Sequence, residues 1–497
     1  MQSINEAQIW FSRLGGRSVA LLLGITLGLV GGVLALLLVA LGPVIAFGLT
    51  LAALAGLYIL TNVNAALYAI IFVMTLLPFG TLPFSIGFTP TLLDLAIGAF
   101  VLVYLFQWMT GRRSVFRTTP VHLLIVVYML WLLLAFFLGM RHSPPQMNDL
   151  RQFAGTLLSI SLVFIVVDLL RDTVMLRRVV LVVLAAAGLQ ALIAAALYTL
   201  PDDTANTLLN SLGRLGYPVG NVIRYIEANP DLPERAIGTW VDPNALGGVL
   251  AISAALIAPQ VFANKPVLRY RVLTFGVLIL LAITLILTFS RASALALAAG
   301  LFVIAVARYR RFLPLLFAGG ALLLLLPQMQ GYLMRFVEAF TAQDLATQMR
   351  IGEWTDSLRL ISRYPVFGVG FTGTPDIDIY TDVANLYLIM ANQIGLVGLG
   401  IFLITISGVL IYGLRAWRIA RRDEELDSIH LGYHVALVTA MVNAVADLYF
   451  FRLDFQGSIT LFWLTVALAL ASSRLVLERS AKSVGPESTL VKGVDVR

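Results

Sequence analysis

At 497 residues, with 59% hydrophobic content, 12% charged residues and a mean hydropathy of +0.91, the chain falls far outside the composition of a soluble domain. The absence of cysteine excludes disulfides, thiolate metal sites and cysteine nucleophiles. A net charge of +7 would suit a nucleic-acid partner, but its distribution along the chain points elsewhere.

Apolar runs fall near 19–40, 43–60, 64–80, 91–109, 121–139, 152–170 and 177–199, then near 244–262, 272–289, 292–308, 312–326, 385–413, 429–448 and 456–477. A membrane-crossing helix needs roughly 17 to 25 such residues, and the ten-residue alternation of a membrane barrel is absent. The expected fold is all-α: a polytopic integral membrane protein of about 14 transmembrane helices, or about 12 if the shortest runs are half-spans. The run Val19–Ala40 exceeds a signal-peptide core and another follows at once, so it is expected to remain as an uncleaved span. The chain then divides into N-terminal helices (1–200), a polar loop (201–243), central helices (244–326), a large polar loop (327–384), C-terminal helices (385–478) and a tail (479–497).

Basic residues mark alternate connections: Arg112, Arg113 and Arg117; Arg171, Arg177 and Arg178; Lys265, Arg269 and Arg271; Arg308, Arg310 and Arg311; Arg415, Arg418, Arg421 and Arg422. The positive-inside bias assigns these connections and both termini to the cytoplasm, so topology accounts for the charge and no nucleic-acid partner is expected. The same count puts both polar loops on the extracytoplasmic side. No internal repeat of the transporter kind is visible.

The loop 327–384 is far longer than a usual connection. Within it Ile351, Trp354, Leu358 and Ile361 recur at helical spacing, predicting an amphipathic helix suited to the membrane surface. Arg350, Glu353 and Ser357 fall on another face, Pro365, Gly368 and Gly370 turn the chain, and an acidic passage from Asp376 to Asp382 leads to Asn385-Leu386-Tyr387.

Extracytoplasmic arginines run against the positive-inside bias and need a reason. Arg235 lies just before a span, Arg291 follows Ser290 in a short hairpin, and Arg350 opens the amphipathic helix. Guanidinium forks suit phosphate or pyrophosphate. A single loop arginine is more often solvated, yet the hairpin around Arg291 is so short that its charge must stay at the interface. Asn244 and Asn385 each begin an apolar run, where helix capping is the simpler reading, and Tyr387 fits an aromatic belt. Asp376 and Asp378 are too few ligands to specify a metal, while Asp427, His430 and His434 share a helix face that a polar interface explains. No metal, no cofactor and no nucleotide-binding loop are expected.

Taken in order, these features resemble the O-antigen ligase and O-antigen polymerase (Wzy-type) superfamily of bacterial surface polysaccharide assembly. The matching stretches are Arg235 to Gly247, Ser290-Arg291 after an apolar span, Arg350 followed by Trp354, Tyr364-Pro365 to Gly370, and Asn385 to Leu388 running into Gly395 to Gly398. Ligases of this family commonly carry a histidine before the asparagine, and here that residue is Ala384. Alanine cannot accept a proton, so the resemblance points to the polymerase branch, or to Asp382 or Glu353 as the base.

The resemblance implies a metal-independent glycosyltransferase in the bacterial inner membrane, polymerising polyprenyl-diphosphate-linked repeat units of O-antigen or exopolysaccharide at the outer face. Arg235, Arg291 and Arg350 would hold the diphosphate, and Ser290, Asn244, Asn385 and Tyr387 would contact substrate. A ligase acting on a lipid A core or other surface acceptor is the alternative, and an anion transporter the second. Expected partners are the lipid-linked donor, a glycan or lipid acceptor, membrane lipids, a flippase and a chain-length regulator.

Overall fold

A computed structural model describes residues 53–82, 87–325, 345–373 and 383–483, with a few isolated positions beside them. Most of the first two expected spans, the acidic passage with Asp376, Asp378 and Asp382, and the end of the tail lie outside the described residues. The chain divides into a unit at Met1–Ala66 and a second at Leu67–Arg497. In the first, residues 53–61 are helical and Leu54, Leu57 and Leu60 are exposed. Apart from the first four residues of the helix Val63–Leu76, all that follows concerns the second.

The apolar runs become helices: α1 (Val63–Leu76), α2 (Leu92–Met109), α3 (Val121–Gly139), α4 (Met147–Leu169) and α5 (Thr173–Thr199). After the loop helix α6 (Asp202–Ser211) come α7 (Pro243–Ile257, extended by a turn at Pro259–Phe262), α8 (Arg271–Leu287), α9 (Arg291–Ala307) and α10 (Leu313–Leu325). The amphipathic α11 (Leu345–Arg363) precedes α12 (Leu386–Ala420), α13 (Leu426–Asn443) and α14 (Gln456–Ser483). Among the described residues, seven helices are long and apolar enough to cross a membrane by length and composition. Leu102, Leu105, Phe106, Leu130, Phe137, Leu273 and Ile283 stand exposed on α2, α3 and α8, a surface that suits lipid rather than water. The chain is a mostly helical, multi-pass membrane protein.

Two helices form the centre. α14 packs on α4, α12 and α13, and α7 on α5, α8, α9 and α13. Small residues let the backbones close, since lipid supplies no hydrophobic drive between helices. A Cβ on Gly248 would lie 3.1 Å from Asn443 Nδ2, and one on Gly432 2.4 Å from the Leu256 carbonyl oxygen.

Side-chain bonds tie the arginine-bearing connections to one another. Arg113 and Arg171 both pair with Asp168 at 2.9 and 2.7 Å, Arg177 donates to the carbonyls of Lys265 and Pro266, and Arg308 pairs with Asp427 at 2.8 Å. These connections therefore lie at one end of the bundle. At the other end the loop 201–243 is folded: α6 is followed by a two-residue antiparallel ladder of β1 (Arg224–Tyr225) with β2 (Glu234–Arg235), over a small core of Leu209, Val222 and Ile237. Trp240, fully buried, anchors it by donating its indole N–H to the Thr75 carbonyl at 2.9 Å.

Asp94, one of few carboxylates near a span, belongs to the first turn of α2. It completes a capping box with Thr91 and holds Arg151 at 3.0 Å and Gln456 at 2.9 Å.

Candidate functional site

The second end gathers the stretches singled out in the sequence. α7 starts where Asp242 accepts the N–H groups of Asn244 and Ala245 at 2.8 and 3.0 Å, with Pro243 in the first turn. The cap is thus Asp242 and not Asn244. Asn244 is left to accept from Arg235 Nη2 at 2.6 Å, while Arg235 Nε donates to the Thr288 carbonyl at 2.8 Å. Arg235 therefore ties the start of α7 to the hairpin between α8 and α9, and the Ala236 N–H to Leu287 O bond runs beside it.

That hairpin is strained. Phe289 takes φ 52° and, across the site, Val241 takes φ 62°, values that cost a residue with a side chain. Ser290 caps α9, and its buried Oγ meets Ser293 Oγ at 2.9 Å. Arg291 is the first residue of α9, half-buried. A Cβ on Gly247 would stand 2.8 Å from Ser293 Oγ and 3.0 Å from Ser290 Cβ, so this glycine lets α9 begin against α7.

The third stretch arrives from α11. The helix leaves Ile351, Trp354 and Leu358 exposed and turns Ser357 and Leu360 inward, where Ser357 donates to Asn392 Oδ1 at 3.0 Å. Glu353 accepts the Ala384 N–H at 3.1 Å and so fixes the chain entering α12. Asn385 caps α12 by accepting from Tyr387 and Leu388 N–H at 2.9 and 3.0 Å, and donates to the Val445 carbonyl at 2.7 Å. The Tyr387 hydroxyl donates to the Met441 carbonyl at 2.8 Å. Tyr387 thus binds the last turn of α13, and Asn385 the segment that follows it.

That segment holds a residue the sequence reading passed over. The apolar run 429–448 reads as one span, but α13 ends at Asn443 and leaves Asp447 in the connection, 3% exposed. It accepts the Leu448 N–H at 3.1 Å and lies 3.5 Å from Asn443 Nδ2. Burial, then the neighbouring Asp242 carboxylate, push its pKa up to about 8 against the opposing pull of Leu448 N–H and Arg350. Tyr449 is pushed well up by burial and by Asp242 and Asp447, and bonds to Asp242. Asp447 thus feels the charges of Asp242, the cap of α7, and of Arg350 in the second turn of α11. Beside Arg235, burial and the Asp202 charge raise Glu234 to about 7. A lone carboxylate near the end of an apolar run, two residues before a tyrosine, is the signal that would have found Asp447.

The structure thus brings Arg235, Asn244, Ser290 and Arg291 to one place, and Arg350, Glu353, Asn385 and Tyr387 to the α12–α13 side of it. Asp382 lies outside the described residues. Asp427, His430 and His434 serve the fold at the opposite end: His430 meets Ser472 Oγ and the Gly413 carbonyl at 3.2 Å, and His434 meets the His430 carbonyl at 2.8 Å. Among the described residues no group of three or more metal-ligating side chains converges.

The remaining motifs shape α12. Gly395 breaks the helix at φ 72°, the Leu396 N–H turns to the Pro365 carbonyl at 2.8 Å, and the N–H groups of Val369 and Gly370 bond the carbonyls of Asn392 and Gln393 at 2.8 and 2.9 Å. Trp131 closes the break, donating to the Ile394 carbonyl at 2.9 Å and stacking on Phe367.

No curated protein matches the chain. Residues 276–403 match the family model described as O-Antigen ligase. That stretch runs from α8 into α12 and includes Ser290, Arg291, Arg350, Glu353 and Asn385, and the match supports the resemblance to the superfamily of O-antigen ligases and polymerases.

Proposed function

We propose that the chain polymerises polyprenyl-diphosphate-linked oligosaccharide repeat units at the outer face of the bacterial inner membrane. The observation that carries this reading is the meeting of Arg235, Ser290 and Arg291 around the start of α7, with buried Asp447 under the charges of Asp242 and Arg350. In the reaction, an acceptor hydroxyl oxygen attacks the anomeric carbon of the donor. The bond from that carbon to the phosphate oxygen breaks, and the lipid diphosphate leaves with the electron pair. Arg235, Arg291 and Arg350 hold the diphosphate and offset the charge developing on it. The hydroxyl proton passes to the Asp447 carboxylate, the base we assign in place of the histidine that Ala384 lacks.

Glu353 is engaged with the Ala384 N–H and is better suited to positioning, while Asp382 is retained as a second candidate base. Asn244 orients Arg235, Asn385 holds the segment that carries Asp447, and Tyr387 holds the end of α13 before it. The exposed apolar face of α11 would rest on the membrane surface and let the large loop close over donor and acceptor.

The description of the matched family favours the ligase as second reading, with a lipid A core or other surface acceptor in place of a second repeat unit. Reconstitution with a defined lipid-linked donor separates the two. Polymerisation yields a ladder of lengthening lipid-linked chains from donor alone, whereas a ligase gives none until a different acceptor is added. Net anion uptake by proteoliposomes without any glycan donor would sink both in favour of a carrier.

A further inference from the structure

The end of the bundle opposite the candidate site carries a cavity of about 420 Å³, lined among others by Arg308, Arg310, Arg311, Arg421, Glu424 and Asp427. It opens where α7 ends, α9 ends and α13 begins. Four guanidiniums against two carboxylates leave it electropositive. Arg308 Nε donates to Asp427 Oδ2 at 2.8 Å, yet Asp427 Oδ1 is buried without a hydrogen-bond partner. The cavity thus presents cationic donors and one acceptor that lacks a proton donor. Its rim is aromatic: the Phe262 and Tyr309 rings lie 5.0 Å apart, and Arg421 sits 5.9 Å over Trp417. Aromatic rings of this kind mark the headgroup level of a bilayer. The positive-inside bias explains arginines in these connections but not their convergence on one cavity with an orphaned carboxylate oxygen.

We propose that this cavity binds the headgroup of an anionic glycerophospholipid, its phosphate on Arg310, Arg311 and Arg421 and a headgroup hydroxyl donating to Asp427 Oδ1. The volume lies in the range of small-ligand sites. Such a lipid would join the ends of α7, α9 and α13, the helices that carry the candidate site at their other ends or just beyond.

The test uses the full chain in neutral detergent, with thermal unfolding followed against added phosphatidylglycerol, phosphatidylcholine or inorganic phosphate. Phosphatidylglycerol is expected to raise the midpoint well beyond phosphatidylcholine, and native mass spectrometry to retain at least one phosphatidylglycerol per chain. Arg310 and Arg311 are exposed, so the variant Arg310→Ala/Arg311→Ala spares the bundle. It should bind phosphatidylglycerol about thirtyfold more weakly, the loss of two guanidiniums at a charged surface. Equal protection by phosphatidylcholine, or unchanged affinity in the double variant, would overturn the proposal. Inorganic phosphate protecting as well as the lipid would overturn the lipid assignment in favour of a free anion.

Discussion

A carboxyl held protonated at neutral pH cannot accept a proton, so Asp447 sets a pH requirement on any reaction that uses it as base. With its pKa near 8, glycan transfer should rise with pH along a limb whose midpoint is about 8. The variant Asp447→Asn should lose that limb and about 10²–10⁴-fold of the rate, measured as transfer from a radiolabelled donor across buffers. Loss of rate with the limb intact would mean the base lies elsewhere, Asp382 being the next to test. Stability should run the other way. The folded-state pKa lies above the ordinary aspartate value of 3.8, so the folded chain keeps a proton that the unfolded chain has released, and stability falls as pH rises from about 4 through about 8. The unfolding midpoint of Asp447→Asn should show a shallower fall over that window than the unaltered chain. Arg291 makes a different demand, for shape rather than charge. Arg291→Lys keeps the cation but loses the planar fork, and polymer synthesis in cells lacking the native copy should fall by about tenfold or more. Full synthesis would show that a point charge suffices.

At the scale of elements, the break in α12 is what lets the 364–370 turn enter the bundle. Gly395 has φ 72° and a Cβ there would stand 2.0 Å from the Val366 carbonyl oxygen, so Gly395→Ala must displace backbone rather than a side chain. It should cost about 3 kcal/mol or more, seen as a lowered unfolding midpoint, whereas Gly400→Ala, with nothing within 4 Å, should be neutral or slightly stabilising. The mostly helical, multi-pass character was legible in the sequence because hydrophobic length dictates it, and the helical spacing of Ile351, Trp354 and Leu358 disclosed the exposed face of α11. The same reliance on apolar length hid Asp447, since a run to 448 absorbs a carboxyl that the helix end at Asn443 sets apart. Asn244 opens an apolar run and so reads in sequence as a cap. Proline in the first turn moves the cap back to Asp242 and leaves the asparagine amide for Arg235. Which side chains share a site depends on long-range contacts, such as Asn385 with Val445, that no local pattern encodes.

For the whole molecule, the contacts fix parity but leave the face of the membrane to be measured. Arg113 and Arg171 meet on Asp168, and Lys265 lies 3.7 Å from Glu424, so the arginine-bearing connections alternate strictly with the connections that build the candidate site. If the positive-inside bias holds, the folded loop 201–243 and α11 face outward together, where a lipid-linked glycan and its acceptor could both reach Arg235 and Arg350. The lack of cysteine makes this directly testable, because a single introduced thiol is the only one in the chain. Cysteine at Asp231 or Asn229, both exposed in the β1–β2 turn, should react with a membrane-impermeant maleimide in intact cells. Cysteine at Arg112 or Arg422, exposed at the other end, should react only after the inner membrane is opened. The reverse pattern would put the three arginines and Asp447 on the cytoplasmic face, out of reach of an exported glycan, and the polymerase reading would fall with it. Labelling of both sets from outside would break the parity that the Asp168 and Glu424 contacts require.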